Sequence, residues 1–156
     1  MINLSKIFIY PGSLEVTVQP KTLTTILGSC VAVCIWDKKL KFGGMNHFML
    51  PLWNGEGLAS PKYGNIAIDK LIRKMINNGS SSEDLEAKIF GGGNVIESTN
   101  NVYRIGERNI EIAYSKLAEY GIQVTGSSTG GKLGRKILMN TSNFQILHKF
   151  IAKQNF

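Results

Sequence analysis

Residues 27–50 read LGSCVAVCIWDKKLKFGGMNHFML, and this stretch restricts the fold more tightly than any other. CVAVCIWD is an apolar run of strand length, DKKLK is a short polar reversal, and GGMNHFML returns as a second apolar run, so the stretch predicts an antiparallel hairpin. With the turn centred near Lys39, pairing sets Cys30 opposite Phe48 or Met49 and His47 one step along the ladder. The register decides whether the two side chains meet, because a slip of one residue sends every side chain of a strand to the other face. The sequence leaves that register open.

Around the hairpin the signals alternate between strand and helix. KIFIY, LEVTVQ and LTTIL are short and β-branched, separated by the turn signals PGS and PKT, and read as strands. From Tyr63 to Asn78 the apolar residues Ile66, Ala67, Leu71, Met75 and Ile76 recur near helical spacing, with Gly79 as the stop. KIF then leads as a buried strand into GGGN. IGERNIEIAYSKLAEYG predicts a second helix with Ile110, Ala113, Leu117 and Ala118 on one face and Gly121 after its end. IQVTGSS reads as a strand, and RKILM with NFQILHKF as a closing hairpin turned at Asn140 to Ser142, the last segment being open to a helical reading as well. The expectation is an α/β protein, a single domain over residues 1–156, with mixed β-sheet layers, two long helices and a Cys/His pair on the N-terminal hairpin.

Composition narrows the function classes. The chain has 156 residues, 43% of them hydrophobic, enough to bury a core without metal or disulfide. No apolar run approaches the roughly 18 residues of a membrane helix and no signal-peptide pattern opens the chain, so membrane insertion is not expected. Cys30 and Cys34 are the only cysteines. On one strand they lie about 13 Å apart, beyond disulfide reach, and two free thiols suit the cytoplasm. Eighteen basic against eleven acidic residues give +7, which favours acidic partners. Nucleic acid is not expected, because no charge block, zinc-ligand spacing or aromatic–basic sheet signature accompanies the charge.

The chemical interest lies in pairing a thiol with an imidazole. A free thiol is mostly protonated at neutral pH, and an adjacent histidine can accept its proton to give a nucleophile. Gly28 and Ser29 precede Cys30 in a tight turn whose backbone N–H groups are candidates for stabilising the oxyanion of an acyl intermediate. Thr24 and Thr25 are both candidates to orient the imidazole. On spacing alone a buried structural cysteine and a satisfied core histidine are the more ordinary explanation.

LGSCVAV followed by GGMNHFMLP resembles the CheD family of chemoreceptor glutamine deamidases, and the likeness continues through AKIFGGGN, IGERN, GIQV and GGKLGRKI, over most of the chain. The resemblance implies hydrolysis of selected glutamine side chains of chemoreceptors to glutamate, in chemotaxis adaptation, with a Cys, His and Thr at the site. Matched motif to motif, these are Cys30, His47 and Thr24, the threonine six residues before the cysteine. No metal or organic cofactor is implied. The implied partners are the cytoplasmic helices of methyl-accepting chemotaxis proteins and a CheC-type phosphatase. An alternative is that the chain is mainly a non-catalytic regulator docking on such a phosphatase or on receptors.

Other motifs weigh less. The glycines at 91–93 most simply make a turn or permit close packing, with contact to substrate or partner as the functional alternative. GSSTGGK at 126–132 matches GxxxxGK, but Leu133 stands where a magnesium-binding hydroxyl belongs and Gly134 weakens the helix that should follow. His148 is expected on a strand or at the surface, and Trp36 and Trp53 in the core or an interface.

Overall fold

The computed structural model describes residues 4–94 and 104–151. Nine strands and two helices follow in the order β1 (Lys6–Phe8), β2 (Leu14–Thr17), β3 (Thr22–Leu27), β4 (Val31–Asp37), β5 (Phe42–Asn46), α1 (Gly64–Asn77), β6 (Leu85–Gly91), α2 (Ile105–Glu119), β7 (Gln123–Thr129), β8 (Gly134–Asn140) and β9 (Ile146–Ile151). They form a five-stranded mixed sheet ordered β2-β5-β4-β6-β7 and a four-stranded mixed sheet ordered β1-β3-β8-β9. The arrangement is mixed α/β, as the sequence implies.

Strand β4 explains the layering. Every residue from Val31 to Asp37 is buried, because each face of the strand meets a separate apolar layer. Val31, Val33 and Ile35 point toward α1 and α2 and pack with Ile68, Leu71, Met75, Ala113 and Leu117. Ala32, Cys34 and Trp36 point the other way and pack with Leu23, Leu27, Ile137 and Met139 of the four-stranded sheet. A strand covered on both sides reads as a continuous apolar run, and burying each of its Val and Ile side chains stabilises the fold by about 1.5–3 kcal/mol.

The helices sit where periodicity puts them, with shifted faces. In α1 the buried residues are Gly64, Ala67, Ile68, Leu71, Ile72 and Met75, while Ile76 is exposed. The chain leaves α1 through Gly79 at φ +107°. In α2 the buried positions are Gly106, Asn109, Ala113 and Leu117, so Ala118 lies on the solvent side and the buried stripe begins with a glycine and an asparagine. β8 and β9 form the closing hairpin in antiparallel register, Gly134 beside Ile151 through Met139 beside Ile146. Among the described residues no helix is long and apolar enough to cross a membrane.

Candidate functional site

The hairpin register, open in the sequence, is set by the β4–β5 ladder. Cys34 pairs with Met45 and Trp36 with Gly43. A final bridge joins Val31 and Phe48 through Val31 N–H to Phe48 O at 3.1 Å and Phe48 N–H to Val31 O at 2.9 Å. Continued outward, this register sets Cys30 beside Met49 and His47 beside Ala32. Cys30 and His47 therefore flank the bridge on the same face of the pair, the face turned toward the four-stranded sheet, as diagonal neighbours at a backbone spacing of about 7–8 Å. Cys30 packs against the inter-sheet cluster accordingly. Both residues lie just outside the regular strands, at the mouth of the hairpin.

His47 is 2% exposed and held by its backbone, its carbonyl accepting from Gly12 N–H at 2.8 Å and its N–H donating to Ser13 O at 3.1 Å. Its ring meets Thr25, with Nδ1 2.8 Å from Oγ1. The same hydroxyl donates to Ile9 O at 2.6 Å. A hydroxyl has one proton, and with that proton on Ile9 O it is an acceptor toward His47. Nδ1 therefore carries the ring hydrogen, and Nε2 is left with a lone pair. Nε2 is buried and has no hydrogen-bond partner among the described residues. Burial lowers the His47 pKa to about 4, with the Ile9 carbonyl opposing, so the ring is a neutral base at neutral pH.

The hydroxyl in contact with His47 thus belongs to Thr25, where the motif match puts Thr24. The reason is strand parity. Leu23 and Leu27 of β3 belong to the inter-sheet core, and Thr25, two residues from each, shares their face. Thr24 lies on the opposite face of β3, also buried, and its hydroxyl donates to Ile137 O at 2.8 Å. The signal was present in LTTIL, where apolar residues at 23 and 27 mark the inward parity.

Cys30 is a free, half-buried thiol. Its pKa is raised by burial, its own backbone N–H opposing, so the resting pair is neutral thiol and neutral imidazole. The preceding turn is anchored through its carbonyls: Gly28 O accepts from Gly93 N–H at 2.9 Å, Cys30 O from Gly92 N–H at 2.8 Å, and Ser29 O from Asn109 Nδ2 at 3.0 Å. Among the described residues no backbone acceptor pairs with the N–H groups of Ser29 and Cys30. Cys34 is fully buried, and burial drives its thiol pKa far up against the opposing charge of Lys88. It is chemically inert by comparison.

The glycine loop after β6 is a packing device. At Gly91, φ is +108° and a Cβ would stand 2.2 Å from Cys30 O; at Gly92, φ is +69° and a Cβ would stand 2.4 Å from Ile110 Cγ1. Gly106 of α2 answers it, since a Cβ there would lie 2.5 Å from Gly92 O. Bare backbone on both sides lets the first turns of α2 approach the cysteine turn. That approach delivers Asn109, fully buried, which stands in the IGERN motif with no local signal of a role.

The GxxxxGK segment does not build a phosphate cradle. The guanidinium of Arg135, 1% exposed, fills the space under the loop and donates to the carbonyls of Ser128 and Gly130. Gly130 N–H is spent on Gly91 O at 2.9 Å. His148 lies on β9, with Nε2 3.1 Å from Ser128 Oγ. Trp36 is in the core, its Nε1 donating to Thr141 O at 2.9 Å, and Trp53 is half-buried, its Nε1 donating to Glu56 O at 3.0 Å. Among the described residues no group of three His, Cys, Asp or Glu side chains is placed to hold a metal ion.

Comparison with known proteins bears on the same chain. The family model described as CheD chemotactic sensory transduction matches residues 49–150, a segment that begins just after His47. A protein of Trichlorobacter lovleyi named probable chemoreceptor glutamine deamidase CheD is 50% identical over 144 residues, 92% of this chain and 89% of that one. One of Sulfurimonas denitrificans with the same name is 45% identical over 156 residues, 99% of this chain and 100% of that one. The solved structure of Bacillus licheniformis hypothetical protein YfiH superposes with a TM-score of 0.49 at 19% identity, covering 74% of this chain and 49% of that one. The chain belongs to the CheD family.

Proposed function

We propose that this chain is a chemoreceptor glutamine deamidase in which Cys30 is the nucleophile, His47 the general base and then acid, and Thr25 the residue that holds the imidazole tautomer. The observation that carries the mechanism is the hydrogen-bond relay Ile9 O, Thr25 Oγ1, His47 Nδ1, which leaves Nε2 as a free, buried lone pair on a residue that shares its face of the hairpin with the half-exposed thiol. The names of the relatives support the substrate.

His47 Nε2 takes the proton of the Cys30 thiol as sulfur attacks the carboxamide carbon of a glutamine side chain, forming the C–S bond and a tetrahedral oxyanion. The imidazolium then gives its proton to the amide nitrogen, the C–N bond breaks, ammonia leaves and a thioester remains. Next, Nε2 removes a proton from water as the water oxygen attacks the thioester carbon. The C–S bond breaks, sulfur recovers the proton from the imidazolium, and the carboxylic acid released ionises to glutamate, its proton passing to solvent. Backbone N–H groups of Gly28, Ser29 and Cys30 are the proposed donors to both oxyanions. With both groups neutral at rest, attack and proton removal proceed together, without a standing thiolate–imidazolium pair.

The reaction needs no metal or organic cofactor. Receptor cytoplasmic helices are the proposed substrate surface, the cytoplasm the proposed location, and a CheC-type phosphatase a second partner suggested by the family resemblance alone. Mass spectrometry of a receptor cytoplasmic fragment tests the activity by tracking amide loss and ester loss together. Wild-type and Cys34→Ala proteins convert glutamine to glutamate and a folded Cys30→Ala protein does not; equal conversion by both cysteine variants overturns the role of Cys30. A pull-down of a CheC-type phosphatase with Cys30→Ala protein tests docking separately.

A further inference from the structure

We infer that Asn109 is a positioning residue for the thiol–imidazole pair, its side-chain amide standing in for a rung that the hairpin backbone cannot make. This rests on the Cys30–His47 reading above and deepens it.

The β4–β5 ladder ends at the bridge between Val31 and Phe48. Beyond it the strands part: Met49 N–H and Leu50 N–H both turn away to Lys62 O, at 2.8 and 3.0 Å. Bonded and unbonded pairs alternate in an antiparallel ladder, so the next rung would join Ser29 and Leu50; it is missing, and Cys30 and Met49 are held in register from one side only, at the place where reach between residues 30 and 47 must be held to a fraction of an ångström. What faces the gap is two carbonyls, Ser29 O before the cysteine and Met49 O across from it. Two acceptors cannot bond each other, and a single NH2 group can bond both. Asn109 Nδ2 does so, at 3.0 Å to Ser29 O and 3.1 Å to Met49 O.

The orientation of the amide follows from these partners, since only its NH2 end suits two carbonyl oxygens. Its other end is unfavourable: Asn109 Oδ1 is buried with no partner among the described residues. Burying an amide with one half unpaired works against stability, and an apolar residue of the same volume would avoid it. A polar side chain kept at such a position fits a geometric duty to the site. The close approach of Gly106 to Gly92 places the helix turn near enough for so short a side chain to reach.

The test uses a probe independent of receptor recognition. p-Nitrophenyl acetate acylates Cys30, read as nitrophenolate release and as the mass of the acetylated protein, and the rate is compared among wild-type, His47→Asn, Asn109→Leu and Asn109→Asp proteins. Asn109→Leu fills the space without a donor, and its thermal midpoint stays at or above that of wild type. Its acylation rate nonetheless falls about tenfold or more toward that of His47→Asn, and kcat on a receptor fragment falls with KM nearly unchanged. Asn109→Asp, which sets oxygens against both carbonyls, falls further at neutral pH and recovers part of the loss as the carboxyl protonates. Acylation that depends on His47 but is equally fast in Asn109→Leu overturns the assignment of Asn109 and leaves the Cys–His reading standing. Acylation of the wild type that ignores His47→Asn overturns that reading and the Asn109 assignment with it.

Discussion

Acidification tests the state assigned to His47 without any substrate. Its pKa is about 4 in the folded protein and about 6.5 in the unfolded chain. Between these values the unfolded state binds the proton and the folded state does not, so the stability present above about pH 6.5 is progressively lost as pH falls toward 4. Two and a half pKa units correspond to about 3 kcal/mol once both states are protonated, and about 2 kcal/mol is already lost near pH 5. For a chain of this size that equals a drop of about 4–8 °C in thermal midpoint. The control is His47→Asn, whose side-chain N–H can still donate to Thr25 Oγ1 but does not titrate. Urea unfolding of both proteins near pH 7.5 and pH 5 cancels every other titrating group in the difference of differences. The wild type should lose about 2 kcal/mol more than His47→Asn over that range. Parallel stability–pH curves for the two proteins would refute a buried neutral imidazole, and with it the free Nε2 base.

Three further outcomes follow from the geometry. Thr25→Val removes the acceptor that holds Nδ1–H, and deamidation should fall about tenfold to a hundredfold, whereas Thr24→Val should keep activity within a few-fold; the reverse order in a receptor-fragment assay would return the orienting role to Thr24. Gly91→Ala forces a side chain onto backbone at φ +108° with its Cβ 2.2 Å from Cys30 O, and chemical denaturation should show a loss of at least about 2 kcal/mol. If the +7 charge steers the protein to acidic receptor helices, kcat/KM on a receptor fragment should fall as salt rises while acylation by p-nitrophenyl acetate stays level.

The division between what the sequence discloses and what it withholds follows the range of the forces involved. Local rules are written locally: the apolar run VAVCIWD, the polar reversal DKKLK and the spacing of Ala67, Leu71 and Met75 each state an element, and the structure has them all. The face of Thr25 is equally legible, since Leu23 and Leu27 give the inward parity of β3, whereas the motif offset counted from Cys30 points to Thr24; the sequence offers both threonines as candidates. The register of the hairpin lay beyond local reading, because a turn of four residues fits several pairings, and packing on both faces of β4 decides among them.

Asn109 is the harder case. An asparagine four residues before Ala113 falls on the apolar stripe of α2, where periodicity treats a polar residue as an interruption. Its meaning appears only when a helix 60 residues downstream of Met49 and 80 downstream of Ser29 is set against the mouth of the hairpin. Two glycine contacts on opposite sides of the gap make that approach possible, and each glycine by itself reads as a turn or a weak helix position. A site assembled in this way is specified by exclusions: no Cβ at Gly92, no Cβ at Gly106, no backbone rung beyond Val31. Short-range statistics register each exclusion as a defect. Taken together they leave one vacancy with two carbonyls facing it, and a short primary amide satisfies both where a hydroxyl, with its single proton, can fully satisfy only one.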